Sequence, residues 1–410
     1  MIPQQNRLEF YERLGDSWHE LADILGIPYR AVMSFARGRE PQAICRWLIE
    51  RGRMMELPGA LNLIGREDLV ELAESFAGGT GLLAATAEQS KREAHRPVIL
   101  RWKTQLGGPI FATPAVAGGV VYISSYEELY ALDAATGAIR WKTRTGSHSL
   151  GSPVVYGGKV YVDGGRLVCA LDATTGEIKW KTTTEGNVSS PAVAKGSVFV
   201  ANNAHAYALD ATTGAVQWIS TIEGMPEAPA IAGGTVFICA DRHLWALDVT
   251  TGAIQWKMSA GERFSPPALS FGTLYLGAKS RGVAYAIKGT TGIVEWESPH
   301  IGKVWVAPVL SPVSVYLCSS DSNVYCLNKS TGEIRWQTPT RSFIDTPPAI
   351  SNGVVYVAAP DYDLYALDAN NGEIYWTFEA GGNFGGGPVV SGQTVFVGNV
   401  DEWVYAVEAV

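Results

Sequence analysis

A tryptophan recurs every 38 to 40 residues along most of this chain, at Trp102, Trp141, Trp180, Trp218, Trp256, Trp296, Trp336 and Trp376. All but the first lie near the end of a close copy of one phrase, such as "LYALDAATGAIRWKT" at 129–143 or "LYALDANNGEIYWTF" at 364–378. Between tryptophans stands a second phrase, a proline before an alternating apolar run, and it occurs eight times, from "TPAVAGGVVYI" to "GPVVSGQTVFV". A period near forty means stacked blades or solenoid turns. Here each period supplies four short strands joined by Gly-, Asn- and Asp-rich turns, the unit of a propeller blade around a central channel.

The eighth unit stops at "VYAVEAV", before its turn and its tryptophan strand. The missing strand stands at the other end, in "PVILRWKTQLG" at 97–107. Pairing of 97–107 with the last blade is therefore expected to close an eight-bladed propeller spanning 97–410, removing two edges open to aggregation. The repeated residues have structural roles that need no chemistry. Asp133, Asp172, Asp210, Asp248 and Asp368 can accept backbone N–H bonds in their turns, Gly137 and Gly176 supply positive φ, and each Trp offers a flat face to a neighbouring blade.

The pattern A-x-D-x-x-T-G-x-x-x-W resembles the tryptophan-docking repeat of pyrroloquinoline quinone-type eight-bladed propellers. Departures are local: Lys288, Asn328 and Glu408 replace the turn Asp, and Asn371 replaces the turn Thr. That family holds quinone-dependent dehydrogenases and non-catalytic relatives, among them an outer-membrane assembly lipoprotein and sensor-like domains of bacterial kinases. For a dehydrogenase the resemblance implies a Glu, an Asn and an Asp on calcium beside an adjacent Cys–Cys pair, and no "CC" occurs here. Nor does H-E-x-x-H, G-x-S-x-G or a phosphate-binding loop. The chain is expected to be no enzyme and to hold no cofactor or metal; a quinone-dependent dehydrogenase is the remote alternative.

A net charge of −8 and a pI near 5.4 argue against nucleic acid or an anionic membrane as the main partner. No basic start followed by an apolar run, and no span of about eighteen apolar residues, is present, so a cytoplasmic location is expected. Five cysteines, odd in number and without metal spacing, read as reduced and mostly buried thiols, with a Cys318 to Cys326 link across one hairpin left open. Paired acids in "PDYDLY" and "NVDEWVY" read as solvated turn residues.

What varies while the scaffold repeats is the residue three before each proline: Phe111, Leu150, Val188, Pro226, Phe264, Trp305, Asp345 and Gly385. These positions begin the innermost strands, so Phe111, Leu150, Phe264, Trp305 and Asp345, with the neighbours Arg263 and Phe384, are candidate binding residues at a channel mouth.

Residues 1–76 are of another type. "DSWHELADILGIP" and "EPQAICRWLIERG" are amphipathic with helix start and stop signals, and "RLEFYERLG", "YRAVMSFARG", "LPGALNLIG" and "REDLVELAESF" bring the helix count to six. With Trp18, Leu21, Ala22, Leu25, Gly26, Trp47, Leu48, Leu61, Ile64, Gly65, Arg66, Asp68 and Leu69, this resembles the death-domain superfamily, as bacterial death-like or effector-associated domains that bind like domains. A DNA-binding helix-turn-helix is the rival, but the segment has no Lys, and 9 Arg against 12 acids leave no basic balance. Arg37, Arg39, Arg46, Arg51 and Arg53 precede an acidic set, Glu67, Glu71 and Glu74, and opposed patches suit head-to-tail assembly. Residues 77–96, small and polar, are expected to be a flexible linker. The expected protein is a six-helix death-like bundle followed by an all-β propeller, acting as an adaptor or sensor with protein partners in bacterial signalling or defence. A plain scaffold is the alternative.

Overall fold

The computed structural model of the protein describes residues 98–147 and 151–409. These residues form thirty-two strands in eight antiparallel sheets of four, and the strands are numbered in chain order. In the first complete blade, β2 (Ala115–Ala117), β3 (Val120–Ser125), β4 (Glu128–Asp133) and β5 (Ile139–Arg144) follow one another outward from the centre. Gly118 and Gly119, at φ 56° and 74°, make the two-residue turn between β2 and β3, which demands left-handed backbone at both positions.

All six residues of β3 are buried, whereas β5 alternates between exposed and half-buried. The second strand of each blade is sandwiched between two neighbouring blades, which is why its sequence is an unbroken apolar run. Val121 and Ile123 pack toward Phe396 of the eighth blade, and Val120 and Tyr122 toward Val160 and Val162 of the second. The core is thus a series of seams between blades.

The short inner strands of successive blades adjoin in order, and the last, β30 (Val389–Ser391), returns to β2. The eighth sheet runs β1 (Leu100–Gln105), β32 (Trp403–Glu408), β31 (Thr394–Gly398), β30. In it Trp102 lies opposite Ala406, and Thr104 opposite Val404.

Each outer-strand Trp docks on the following blade. Trp102 Nε1 donates to the Ala134 carbonyl at 3.0 Å, and Trp141, Trp180, Trp218, Trp256, Trp296 and Trp336 repeat the bond at 2.9–3.2 Å. The ring covers the turn glycine: a Cβ on Gly137 would come within 2.5 Å of Trp102, and its φ of 73° disfavours any other residue. Asp133 Oδ1 accepts from the N–H groups of Ala135 and Thr136, as an Asx turn requires. Asn328 does the same for Ser330, whereas Lys288, with no acceptor, leaves its turn to backbone bonds from Thr291 and Gly292.

The up-and-down order sorts the turns onto two faces. One carries the inner turns and the Asp-Thr-Gly turns. The other, here the loop face, carries the turns between second and third strands and the connections from each outer strand to the next inner strand. Cys169, Cys239, Cys318 and Cys326 are free and buried. Cys326 lies opposite Tyr316 and Cys318 opposite Val324, so the two do not face each other directly. Burial raises the thiols of Cys169 and Cys326 to about 11, which keeps them protonated and unreactive.

Candidate functional site on the loop face

The residues three before each proline do not share one environment, and the reason lies in the connection that precedes them. From Trp102 to Pro114 is twelve residues, and the same holds from Trp141, Trp296, Trp336 and Trp376 to their prolines; from Trp180, Trp218 and Trp256 it is eleven. In the longer connections the residue four before the proline plugs the seam, as Ile110, Val304, Ile344 and Phe384 do. The extra residue then pushes the next side chain out, so Phe111 is 65% exposed, Trp305 41%, and Asp345 is exposed too. In the shorter connections the residue three before the proline turns inward instead: Phe264 is buried, and Val188 and Pro226 are half-buried.

Two expected rim residues are corrected by this shift. Phe264 is buried against Tyr285, ring centroids 5.7 Å apart, and Phe384 is buried against Tyr405. Neither is exposed at the mouth. Leu150 lies outside the described residues, as do Arg37, Arg39, Arg46, Arg51, Arg53, Glu67, Glu71 and Glu74.

The structure instead adds Met225 and Phe343, both about half exposed on the same connections. Around them is a charged frame. Lys279 Nζ, nearly buried, pairs with Glu227 Oε1 across the seam between the fourth and fifth blades, and the Trp305 ring centroid lies 5.5 Å from the same ammonium. Arg263 reaches Asp241 at 3.6 Å and the Met225 sulfur at 3.6 Å. The rim therefore alternates apolar projections with fixed charges.

The turns of this face are tied down by tyrosines of the third strands. Tyr325 donates to Asp321 at 2.7 Å, Tyr365 to Asp361 at 2.6 Å and Tyr285 to Glu262 at 2.8 Å. Burial first, then these carboxylates, push the phenols well above their usual range. In "PDYDLY" only part of the acidic pair is solvated: Asp363 is buried, its carboxyl pKa raised by burial and then by Asp361, and it is held by Arg341 Nη1 at 3.0 Å.

Asp163 stands apart. At the fifth position of the second strand the other blades carry Ser124, Ala201, Cys239, Gly277, Cys318, Ala358 and Gly398, all small. The acid is 8% exposed, its Oδ1 has no hydrogen-bond partner, and burial lifts its pKa to about 6, opposed first by its own backbone N–H and then by the Ser190 hydroxyl. A carboxyl that holds its proton more tightly when folded stabilises the fold fully only below its unfolded value near 4. That stability is lost as pH rises to about 6, and the cost persists above. Asp163→Asn is thus expected to raise stability at pH 7.5 by about 3 kcal/mol, on the order of 5 °C, and to gain almost nothing at pH 4. Calorimetry of the full chain at the two pH values checks this; an equal or negative shift at pH 7.5 contradicts it.

Among the described residues no three His, Cys, Asp or Glu side chains converge as a metal-binding group. Comparison with known proteins supplies the relationships. Residues 4–76 match the model for bacterial death-like domain 3, and 88–193, 183–303 and 280–410 match the model for outer membrane protein assembly factor BamB. BamB from Moraxella catarrhalis is similar in structure, with a TM-score of 0.65 and 20% identity over 76% of this chain and 100% of that one. Sqt1 from Saccharomyces cerevisiae gives 0.67 at 9% identity over 76% and 99%. The quinohemoprotein alcohol dehydrogenase ADHIIG from Pseudomonas putida HK5 gives 0.64 at 15% identity over 76% of each. At these identities the solved structures speak for the fold alone. No curated protein sequence matches the chain. Repeat, ring and family match agree: the chain belongs to the family of outer membrane protein assembly factor BamB, and it carries a bacterial death-like domain 3 ahead of its eight-bladed propeller.

Proposed function

We propose that the chain is a non-enzymatic adaptor or sensor of the cytoplasm, whose propeller docks a partner protein on the loop face while the death-like domain recruits a like domain. The observation that carries the first half is the set of large apolar side chains, Phe111, Met225, Trp305 and Phe343, exposed on connections whose neighbours plug the seams. Aromatic residues, Met and Arg are the types that anchor protein interfaces, and Arg263 stands among them. The family match to an assembly factor and the N-terminal match to a death-like domain both favour protein partners.

The second half rests on charge. Single rim pairs are worth about 0–1 kcal/mol, so one contact between death-like domains is transient and clustering of several copies makes it last. Arg51→Glu together with Arg53→Glu is expected to abolish association of the full chain with a death-like partner or with itself, and added salt to weaken it. Light scattering of the full chain, alone and with such a partner, reads this. Association that is indifferent to both changes sinks the charge-based recruitment.

A further inference from the structure

The residues just before the repeat prolines stand at the loop-face start of the inner strands, and they divide the channel mouth in two. In the first three blades they are Thr113, Ser152 and Ser190; in the other five they are Ala228, Pro266, Ala307, Pro347 and Gly387. The hydroxyl arc is ordered: the Gly387 N–H donates to Thr113 Oγ1 and the Thr113 N–H to Ser152 Oγ, each at 3.0 Å. Beneath its third member lies Asp163. Its backbone carbonyl accepts from the Gly151 N–H at 3.1 Å, and its Oδ1 occupies the place where a side chain on residue 151 would begin, with Ser190 Oγ 2.7 Å from that same point. Gly151, Ser152 and Ser190 remain half-exposed while the carboxyl below them is buried.

From this geometry we infer that Asp163 and Ser190, packed together against Gly151, form a subsite at the channel mouth for a cationic nitrogen, an ammonium or guanidinium. A buried carboxylate oxygen without a partner is costly, and a charged donor that also meets hydroxyl oxygens satisfies it. A divalent metal such as calcium or magnesium fits less well, since it asks for six or more oxygens and no three His, Cys, Asp or Glu side chains converge here among the described residues. The subsite rests on the reading that the loop face receives a partner and gives that partner a chemistry: a Lys or Arg side chain entering the mouth beside the apolar rim.

The test uses small probes on the full chain and needs no partner, so its failure leaves the rim reading standing. Butylammonium represents a free amine, N-acetyl-Gly-Lys-Gly-amide a protein side chain, and the same peptide with norleucine the neutral control. Saturation-transfer NMR titration is expected to show the lysine peptide binding at least ten times tighter than the norleucine one. Asp163→Asn, a variant expected to be more stable than the parent at pH 7.5, should remove that preference, and Ser190→Ala should reduce it severalfold. Tighter binding of butylammonium than of the peptide keeps the subsite and assigns it to a free amine. Equal binding of the lysine and norleucine peptides, with no binding of butylammonium, overturns the inference, as does an undiminished preference in Asp163→Asn.

Discussion

A chain truncated to begin at residue 108 is expected to melt at least about 10 °C below one that begins at residue 97, with a broadened transition. The loss is concentrated in β1. Removing it takes away the Trp102 side chain, whose deletion from a packed site alone costs about 3–5 kcal/mol. It also takes the Trp102 bond to Ala134, the Thr104 bond to the Gly137 carbonyl at 2.7 Å, and the Leu106 N–H bond to Glu402. The first blade loses the ring that covers its turn, and β32 becomes a bare edge able to pair with another molecule. A loss of about 5 kcal/mol or more follows. Differential scanning calorimetry of the two truncated chains decides it, and equal melting would mean that the ring is held closed by something other than β1.

That closure is legible in the sequence, because a repeat lacking its final phrase and a spare copy of that phrase at the other end admit one simple arrangement. The turn chemistry is legible too: Asp133 and Gly137 act as their residue types dictate, and Lys288 marks the turn that must rely on backbone bonds. The rim is only half legible. Counting back from the proline assumes connections of one length, and a single added residue exchanges a plug for a projection. Phe264 and Trp305 occupy the same count and opposite environments for that reason alone. The spacing of eleven or twelve from Trp to Pro carries the signal. Asp163 escapes a reading of the sequence because "YVDGG" looks like a strand running into a polar turn, whereas its seven counterparts are uniformly small. An acid at a position where the other seven repeats carry small residues is hidden when the repeats are read as an average.

Phe111→Ser, Trp305→Ser and Phe343→Ser combined should abolish partner binding at a modest cost in stability, since Phe111 is mostly exposed while Phe343 and Trp305 keep about half of their surface packed, Trp305 over the Lys279 ammonium. An interface concentrates its energy in a few aromatic anchors, each worth about 2 kcal/mol or more, so losing three removes several orders of magnitude in affinity. The most direct measurement is quantitative affinity capture from extracts of the source cells, run side by side with the tagged full-length chain and this triple variant, after calorimetry has established equal folding. At least one protein is expected to be captured by the parent and lost by the variant. Identical protein sets on both, or nothing captured by either, would contradict a docking role for the loop face.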